Sequence, residues 1–148
     1  MLLNASRIAE LIPHAGDMLL LQGILEWSET RICCLGRDYR DASNPLRVGG
    51  RLHATSAIEY AAQAMAAHGA LTGRTRGRPR AGYLVSLRDV TCAEVFLDDL
   101  EGDLVVEAER LLGEAAGVIY GFTVRVGNDA AVSGRAMVML DGDAPRGG

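Results

Sequence analysis

The stretch that most constrains this chain is Leu52 to Gly73, LHATSAIEYAAQAMAAHGALTG, a long run of helix formers with no internal proline. Apolar or small residues occupy almost every side of it. A helix of that kind is enclosed by other structure rather than laid on a surface. Ala57, Ala61, Ala62, Ala64, Ala66 and Ala67 lack bulk, so neighbouring backbone can come close and a wrapped sheet is the natural partner. One carboxylate, Glu59, interrupts the apolar run. An ionised carboxylate seldom sits in a core unless it is paired, hydrogen-bonded or functional.

Two readings of Glu59 stand side by side. Ser56-Ala57-Ile58-Glu59 has the spacing of a capping box, in which serine and glutamate satisfy free N–H groups of the first helical turn. Equally, Gln63 follows four residues on, on the same face, and the first-turn dipole holds an anion or polarises a bound carbonyl.

Before this helix, Asn4 caps a short helix through about Ile12, with Ile8, Leu11 and Ile12 as its apolar stripe and Pro13 as its stop. This segment is expected to act as a lid. A strand opens at Met18 and runs to about Trp27, and a second spans Arg31 to Arg37, with a hairpin between them. Arg40 to Arg51, RDASNPLRVGGR, is rich in turn residues and delivers the chain to the long helix. Thr72 to Gly82 carries Arg74, Arg76, Arg78 and Arg80, the one dense positive patch in the chain. It reads either as a solvated loop or as a docking surface for an acidic partner or a phosphate.

Four strand candidates follow: Tyr83 to Val95, Asp103 to Leu112, Val118 to Val126 and Ala131 to Leu140. The first two flank the acidic turn Leu97 to Gly102, and hairpin loops this short predict antiparallel neighbours. Helix, two strands, long helix, four strands: a single antiparallel six-stranded sheet wrapped around one buried helix satisfies that order. This is the α+β hot-dog architecture, and a fold of that kind is expected to be dimeric. Residues 1–141 are expected to form one domain and 142–148, GDAPRGG, a disordered tail.

The 148 residues suffice for a core without disulfides or metal. A formal net charge of -4 argues against a nucleic-acid partner. The start of the chain lacks the pattern of a signal peptide, and no stretch reaches the ~18 apolar residues of a membrane span, so the expected location is the cytoplasm. Cys33, Cys34 and Cys92 have no metal-ligand spacing and read as free buried thiols, Cys33 and Cys34 pointing to opposite faces of a strand.

Leu11-Ile12-Pro13-His14-Ala15-Gly16-Asp17-Met18-Leu19-Leu20-Leu21 resembles the opening of the 3-hydroxyacyl-[acyl carrier protein] dehydratases, which read Leu-Pro-His before an apolar strand. Ile58-Glu59-Tyr60-Ala61-Ala62-Gln63-Ala64-Met65-Ala66 resembles their helix. The resemblance covers most of the chain and is closest to the divergent members of aryl polyene and polyketide pathways. It implies a dehydration of a thioester held on the phosphopantetheine of an acyl carrier protein, with no cofactor or metal of the chain's own. The partners it implies are that carrier and a second chain, either identical or a related dehydratase.

In that family a histidine from a Gly-His-Phe-Pro loop removes the proton alpha to the thioester, across the dimer interface. A glutamate protonates the leaving 3-hydroxyl, and a backbone N–H at the helix start polarises the carbonyl. Glu59 matches the acid, Gln63 its orienting neighbour, and Ala54 or Thr55 the N–H donor. Arg74, Arg76, Arg78 and Arg80 would face the carrier. The histidine has no match, because Pro45 stands fourteen residues before Glu59 in the loop Asn44 to Leu52. His14 is the first substitute and His53 the second, with a chain lacking its own base ahead of both. His68, out of phase with Glu59, is expected to complement the helix C-terminus. A thioesterase of the same fold, using the helix carboxylate alone, and a non-catalytic subunit of an active dehydratase are the competing functions.

Overall fold

The structure is a computed structural model and describes residues 1–12, 18–37, 44–73, 82–93, 96–113 and 117–140, with backbone alone at 82–85, 113 and 140. The chain runs β1 (Leu3–Asn4), α1 (Ala5–Leu11), β2 (Leu21–Trp27), β3 (Arg31–Gly36), α2 (Ala57–Leu71), β4 (Gly82–Cys92), β5 (Leu104–Gly113), β6 (Val118–Val126) and β7 (Asp129–Leu140). His14, Arg74, Arg76, Arg78, Arg80 and the 142–148 tail lie outside the described residues.

All strands join one antiparallel sheet in the order β1-β2-β3-β5-β6-β7-β4, and α2 packs against β3, β5 and β6. This is the expected hot-dog arrangement of a single sheet and a long central helix. The sheet has seven strands rather than six. The added one is β1, whose Leu3 and Asn4 pair with Ile24 and Gly23. Two residues are too few for an alternating pattern to register in sequence.

One pairing differs from expectation. The strands flanking the acidic turn do not form a hairpin: β4 pairs with β7 at the sheet edge, whereas β5 lies centrally between β3 and β6. The intervening segment is held elsewhere. Leu97 is fully buried in a 3-10 turn, Leu97–Asp99, and its N–H donates to the Leu52 carbonyl at 2.8 Å. The Asp98 carboxylate accepts from the Leu52 N–H at 3.0 Å and pairs with Arg51 at 2.6 Å. These bonds tie the segment to the entrance of α2, and they win over local hairpin closure.

Along β6 the burial alternates strictly from Val118 to Val124, so Val118, Tyr120, Phe122 and Val124 face α2 while Ile119, Gly121 and Thr123 face outward. On α2, Ala57, Tyr60, Ala61, Ala64, Met65 and Ala67 are buried, as the small-residue pattern requires. Burying a side chain as large as Tyr60 contributes about 2 kcal/mol by apolar transfer. Gly36 makes room for it: a Cβ there would lie 3.1 Å from the Tyr60 ring and 2.6 Å from Leu104 Cδ2.

Asn4 caps α1 through its side chain, which accepts from the Arg7 N–H at 3.1 Å. Cys33 and Cys34 alternate across β3, but both are buried. Burial pushes the Cys34 thiol up to about 12, with Cys33 adding to it, which keeps Cys34 protonated at neutral pH. Cys92 is exposed on β4, contrary to the expectation of three buried thiols.

Candidate active site at the start of the central helix

The entrance to α2 is a 3-10 turn, Ala54–Ser56, that runs directly into the helix. Ser56 therefore has helical backbone angles, φ -64° and ψ -20°, and makes no side-chain capping bond. The capping-box reading fails at this point, because a capping serine needs an extended backbone to turn its hydroxyl back onto the first turn.

Glu59 lies in the first turn of α2 and is exposed. It forms no hydrogen bond or ion pair with any described residue. Thr55, Glu59 and Ala62 follow one another at helical spacing and all reach solvent to some degree, so one seam of the helix is left uncovered. The helix is enclosed elsewhere, but it is not enclosed along the line that carries its only carboxylate.

Gln63 is buried and spends both ends of its amide on backbone. Its Oε1 accepts from the Leu20 N–H at 2.8 Å, and its Nε2 donates to the Met18 carbonyl at 2.7 Å. The amide thus fixes the segment that leads into β2, and makes no bond to Glu59. Gln63→Leu takes the partner from the Leu20 N–H in a buried setting and from the Met18 carbonyl in a half-buried one. It is expected to lower stability by about 1–3 kcal/mol, read from urea denaturation midpoints; a change within about 0.5 kcal/mol would show that other groups hold residues 18–20.

The preceding loop is tied to the same helix. Asn44, 3 % exposed, donates from Nδ2 to the Tyr60 hydroxyl at 2.8 Å, and its Oδ1 accepts from the Leu46 N–H at 2.9 Å. The second bond is an Asx turn, for which Asn before Pro45 was a legible signal. The first was not legible. Together they place the loop that stands in for Gly-His-Phe-Pro against the start of α2, with no imidazole on it.

The described histidines have other attachments. His68 is fully buried, with Nε2 2.8 Å from the Ser28 carbonyl and Nδ1 2.7 Å from the Tyr120 hydroxyl. A carbonyl only accepts, so Nε2 carries a hydrogen. His68 is a core residue whose ring bridges α2 to the sheet and the Ser28 carbonyl instead of serving the helix C-terminus. His53 is exposed and lies against Phe96, ring centroids 4.8 Å apart, with Arg51 placed 4.0 Å from the same ring. Ala54 is buried beside it and Thr55 is exposed.

Arg51 closes this corner by pairing with Asp98 and Asp99, each at 2.6 Å. Burial works against the Asp98 charge, but the Leu52 N–H and the Arg51 guanidinium outweigh it and hold the carboxyl below its ordinary value. A group with a depressed folded-state pKa contributes stability that is present above its unfolded value, about 3.9, and lost as pH falls through the folded one. Asp98→Asn is therefore expected to lower the melting temperature at pH 7, with the difference from wild type closing in acid as pH falls through the lowered folded-state value of the Asp98 carboxyl. An equal deficit at neutral and acid pH would remove the charge from the explanation. Among the described residues, no three histidine, cysteine or acidic side chains are grouped to hold a metal ion.

With this geometry in place, comparison with known proteins gives a consistent answer. Among solved structures, the dehydratase heterocomplex ApeI:P from Xenorhabdus doucetiae contains a chain with TM-score 0.78 and 23% identity, covering 90% of each chain. A mutant thioesterase from Pseudomonas aeruginosa aligns with TM-score 0.64 at 10% identity over 95% of each chain. A hypothetical thioesterase with coenzyme A from Streptococcus pneumoniae aligns with TM-score 0.57 at 8% identity, over 79% of this chain and 83% of that one. At these identities the superpositions show a shared fold and no more. No curated protein matches the chain. The family model for ApeP-like proteins, described as ApeP dehydratase, matches residues 6–144, nearly the whole sequence, and the chain belongs to the ApeP-like dehydratase family.

Proposed function

We propose that the chain is one half of a two-chain dehydratase that removes water from a 3-hydroxyacyl thioester carried on an acyl carrier protein, with Glu59 as the acid. The observation that carries this reading is the state of Glu59 in a family of dehydratases: an exposed carboxyl on an open helix seam, with no bond to any described residue. In the reaction a base takes the proton alpha to the thioester, and the Glu59 carboxyl protonates the departing 3-hydroxyl. The N–H of Ala54 or Thr55 at the helix entrance stabilises the developing enolate oxygen.

The base comes from the partner chain. His68 is committed to Ser28 and Tyr120, and His53 rests on Phe96 with no bond to Glu59, while His14 lies outside the described residues. The related Xenorhabdus structure is itself a dehydratase heterocomplex, which supports a related dehydratase as the partner here. A surface suited to that partner is β4, the sheet edge, whose residues 86–92 are exposed on both faces and include Leu87 and Val90. A long unpaired edge strand is a template on which a second sheet continues. Arg74, Arg76, Arg78 and Arg80 would meet the acidic carrier, whose phosphopantetheine brings the substrate, and the chain needs no cofactor of its own. A cytoplasmic location is part of the proposal. No helix among the described residues is long and apolar enough to cross a membrane.

The same missing histidine favours a second reading, in which the chain completes its partner's site and performs no chemistry. The purified chain, the partner dehydratase and their mixture are each incubated with a 3-hydroxyacyl carrier thioester, and the carrier is weighed by mass spectrometry. Loss of water in the mixture, dependent on Glu59, is the expected result. Dehydration that survives without Glu59 assigns the chain the supporting role, and release of free acid makes it a thioesterase.

A further inference from the structure

The outer face of the sheet, remote from α2, carries an ordered row of side chains that the proposed reaction does not use. Arg31, Glu109, Gly121, Arg135 and Arg88 stand on β3, β5, β6, β7 and β4, each directly opposite the next. Arg31 is paired with Glu26 and Glu107, both at 3.5 Å. Glu109, Arg135 and Arg88 are exposed and make no ion pair or hydrogen bond with any described residue. Arg88 and Arg135 face each other in register, an arrangement that is destabilising for like charges unless a carboxylate comes between them.

Gly121 sits at the centre of that row. A Cβ there would find only Leu111, at an ordinary 3.5 Å, so the chain's own packing does not demand glycine at this position. A bare glycine in a strand interior weakens the strand and marks a place where another backbone approaches closely. Over it lies a trough of about 420 Å³, lined by Glu109, Leu111, Gly121, Gly134 and Arg135 among others. In the adjoining row, Leu112, Ile119 and Met137 form an apolar ladder across β5, β6 and β7, with Leu112 57% and Met137 38% exposed.

We propose that this face binds a second copy of the same chain, about a two-fold axis that lies in the interface, parallel to β6 and over Gly121. That operation sets Glu109 of each copy opposite Arg135 of the other, because the two lie one strand to either side of the axis. It also lays the apolar ladder on its own image, Ile119 on Ile119 and Leu112 on Met137. Such reciprocity is what an isologous interface requires, and face-to-face sheets approach to about 10 Å, which the bare trough permits. The second copy's Glu109 carboxylate over Arg135 also offsets the Arg88–Arg135 opposition, and the same operation brings Arg31 over Arg88 with its charge already countered by Glu26 and Glu107. The outer face is a different surface from the β4 edge, so this contact is independent of the partner proposed above.

The test is charge reversal read by sedimentation equilibrium on the full chain, with melting temperatures to confirm folding. Arg135→Glu and Glu109→Arg each place like charges opposite one another twice, and each is expected to halve the assembly mass. The double variant, carrying both changes, restores the pairing with its signs exchanged and is expected to recover the wild-type mass. High salt is expected to weaken the wild-type association. A wild-type mass unaffected by either reversal, or a double variant that stays dissociated, overturns the proposal. If Arg135→Glu weakens co-purification with a different protein while Glu109→Arg does not, the face serves an acidic partner and the self-contact is wrong.

Discussion

Changing Glu59 to glutamine is expected to lower turnover of a carrier-bound 3-hydroxyacyl thioester by about 10²–10⁴-fold, measured with the partner dehydratase present. Glutamine keeps the shape of the side chain and removes the proton that the leaving hydroxyl needs. The fold is expected to notice little. Glu59 is exposed and holds no described residue, so the loss is confined to its interaction with the first-turn dipole, about 0.3–1 kcal/mol. For a domain of this size that is a few degrees of melting temperature at most, at about 2–4 °C per kcal/mol. Activity and stability are therefore expected to separate. A variant that melts many degrees lower, with no turnover to lose, would make Glu59 a structural group and end the catalytic account.

His68 is expected to behave in the opposite way. His68→Leu removes an imidazole that satisfies the Ser28 carbonyl and the Tyr120 hydroxyl at the heart of the core. Two polar groups lose a partner in a low-dielectric interior, and the edge-on ring contact with Tyr120, centroids 5.6 Å apart, goes with them. The expected cost is about 3–5 kcal/mol, seen as a lower denaturation midpoint with an unchanged slope. Tyr120→Phe, which removes one hydroxyl and keeps the ring, is expected to cost about 1 kcal/mol. If His68→Leu melted with the wild type, the bridge between helix and sheet would have to lie in other contacts. Catalysis per folded molecule is expected to survive both substitutions, because His68 sits deep on the helix and Glu59 at its mouth.

These two residues mark how far the sequence could be read. Glu59 was visible as a carboxylate in an apolar helix, and its neighbourhood matched a family motif, because both signals lie within a few consecutive residues. His68 was visible only as a histidine out of phase with Glu59, and its position in the last turn suggested that it complements the helix C-terminus. Its two partners are 40 and 52 residues away in the chain, and nothing local encodes them. Gln63 misled for a related reason. Its i,i+4 spacing from Glu59 put the two on one face of the helix, yet the strand entrance at Met18 and Leu20 claimed the amide. Of the two readings of Glu59, the capping box is the one the structure removes, because a 3-10 turn leads into α2 and leaves Ser56 in the wrong backbone conformation.

The order of elements was likewise local information. Alternating burial in β6, the Asn4 cap and the proline-free helix are each written in a dozen residues or fewer. The pairing of β4 was not, since the rule linking short loops to hairpins takes no account of what the loop itself can bind. Here Leu97 and Asp98 had a better partner in Leu52 and Arg51 than the loop had in closing on itself.

By itself the sequence determined a sheet-wrapped helix with a carboxylate near its start, because periodicity and composition act over one or two turns of chain. Tertiary structure alone decided that this carboxylate stays open to solvent, that the glutamine beside it is spent on backbone, and that β4 becomes a free edge. Those outcomes are set by competition among hydrogen-bond partners distant in sequence, and that competition is resolved only when the chain has closed around its helix.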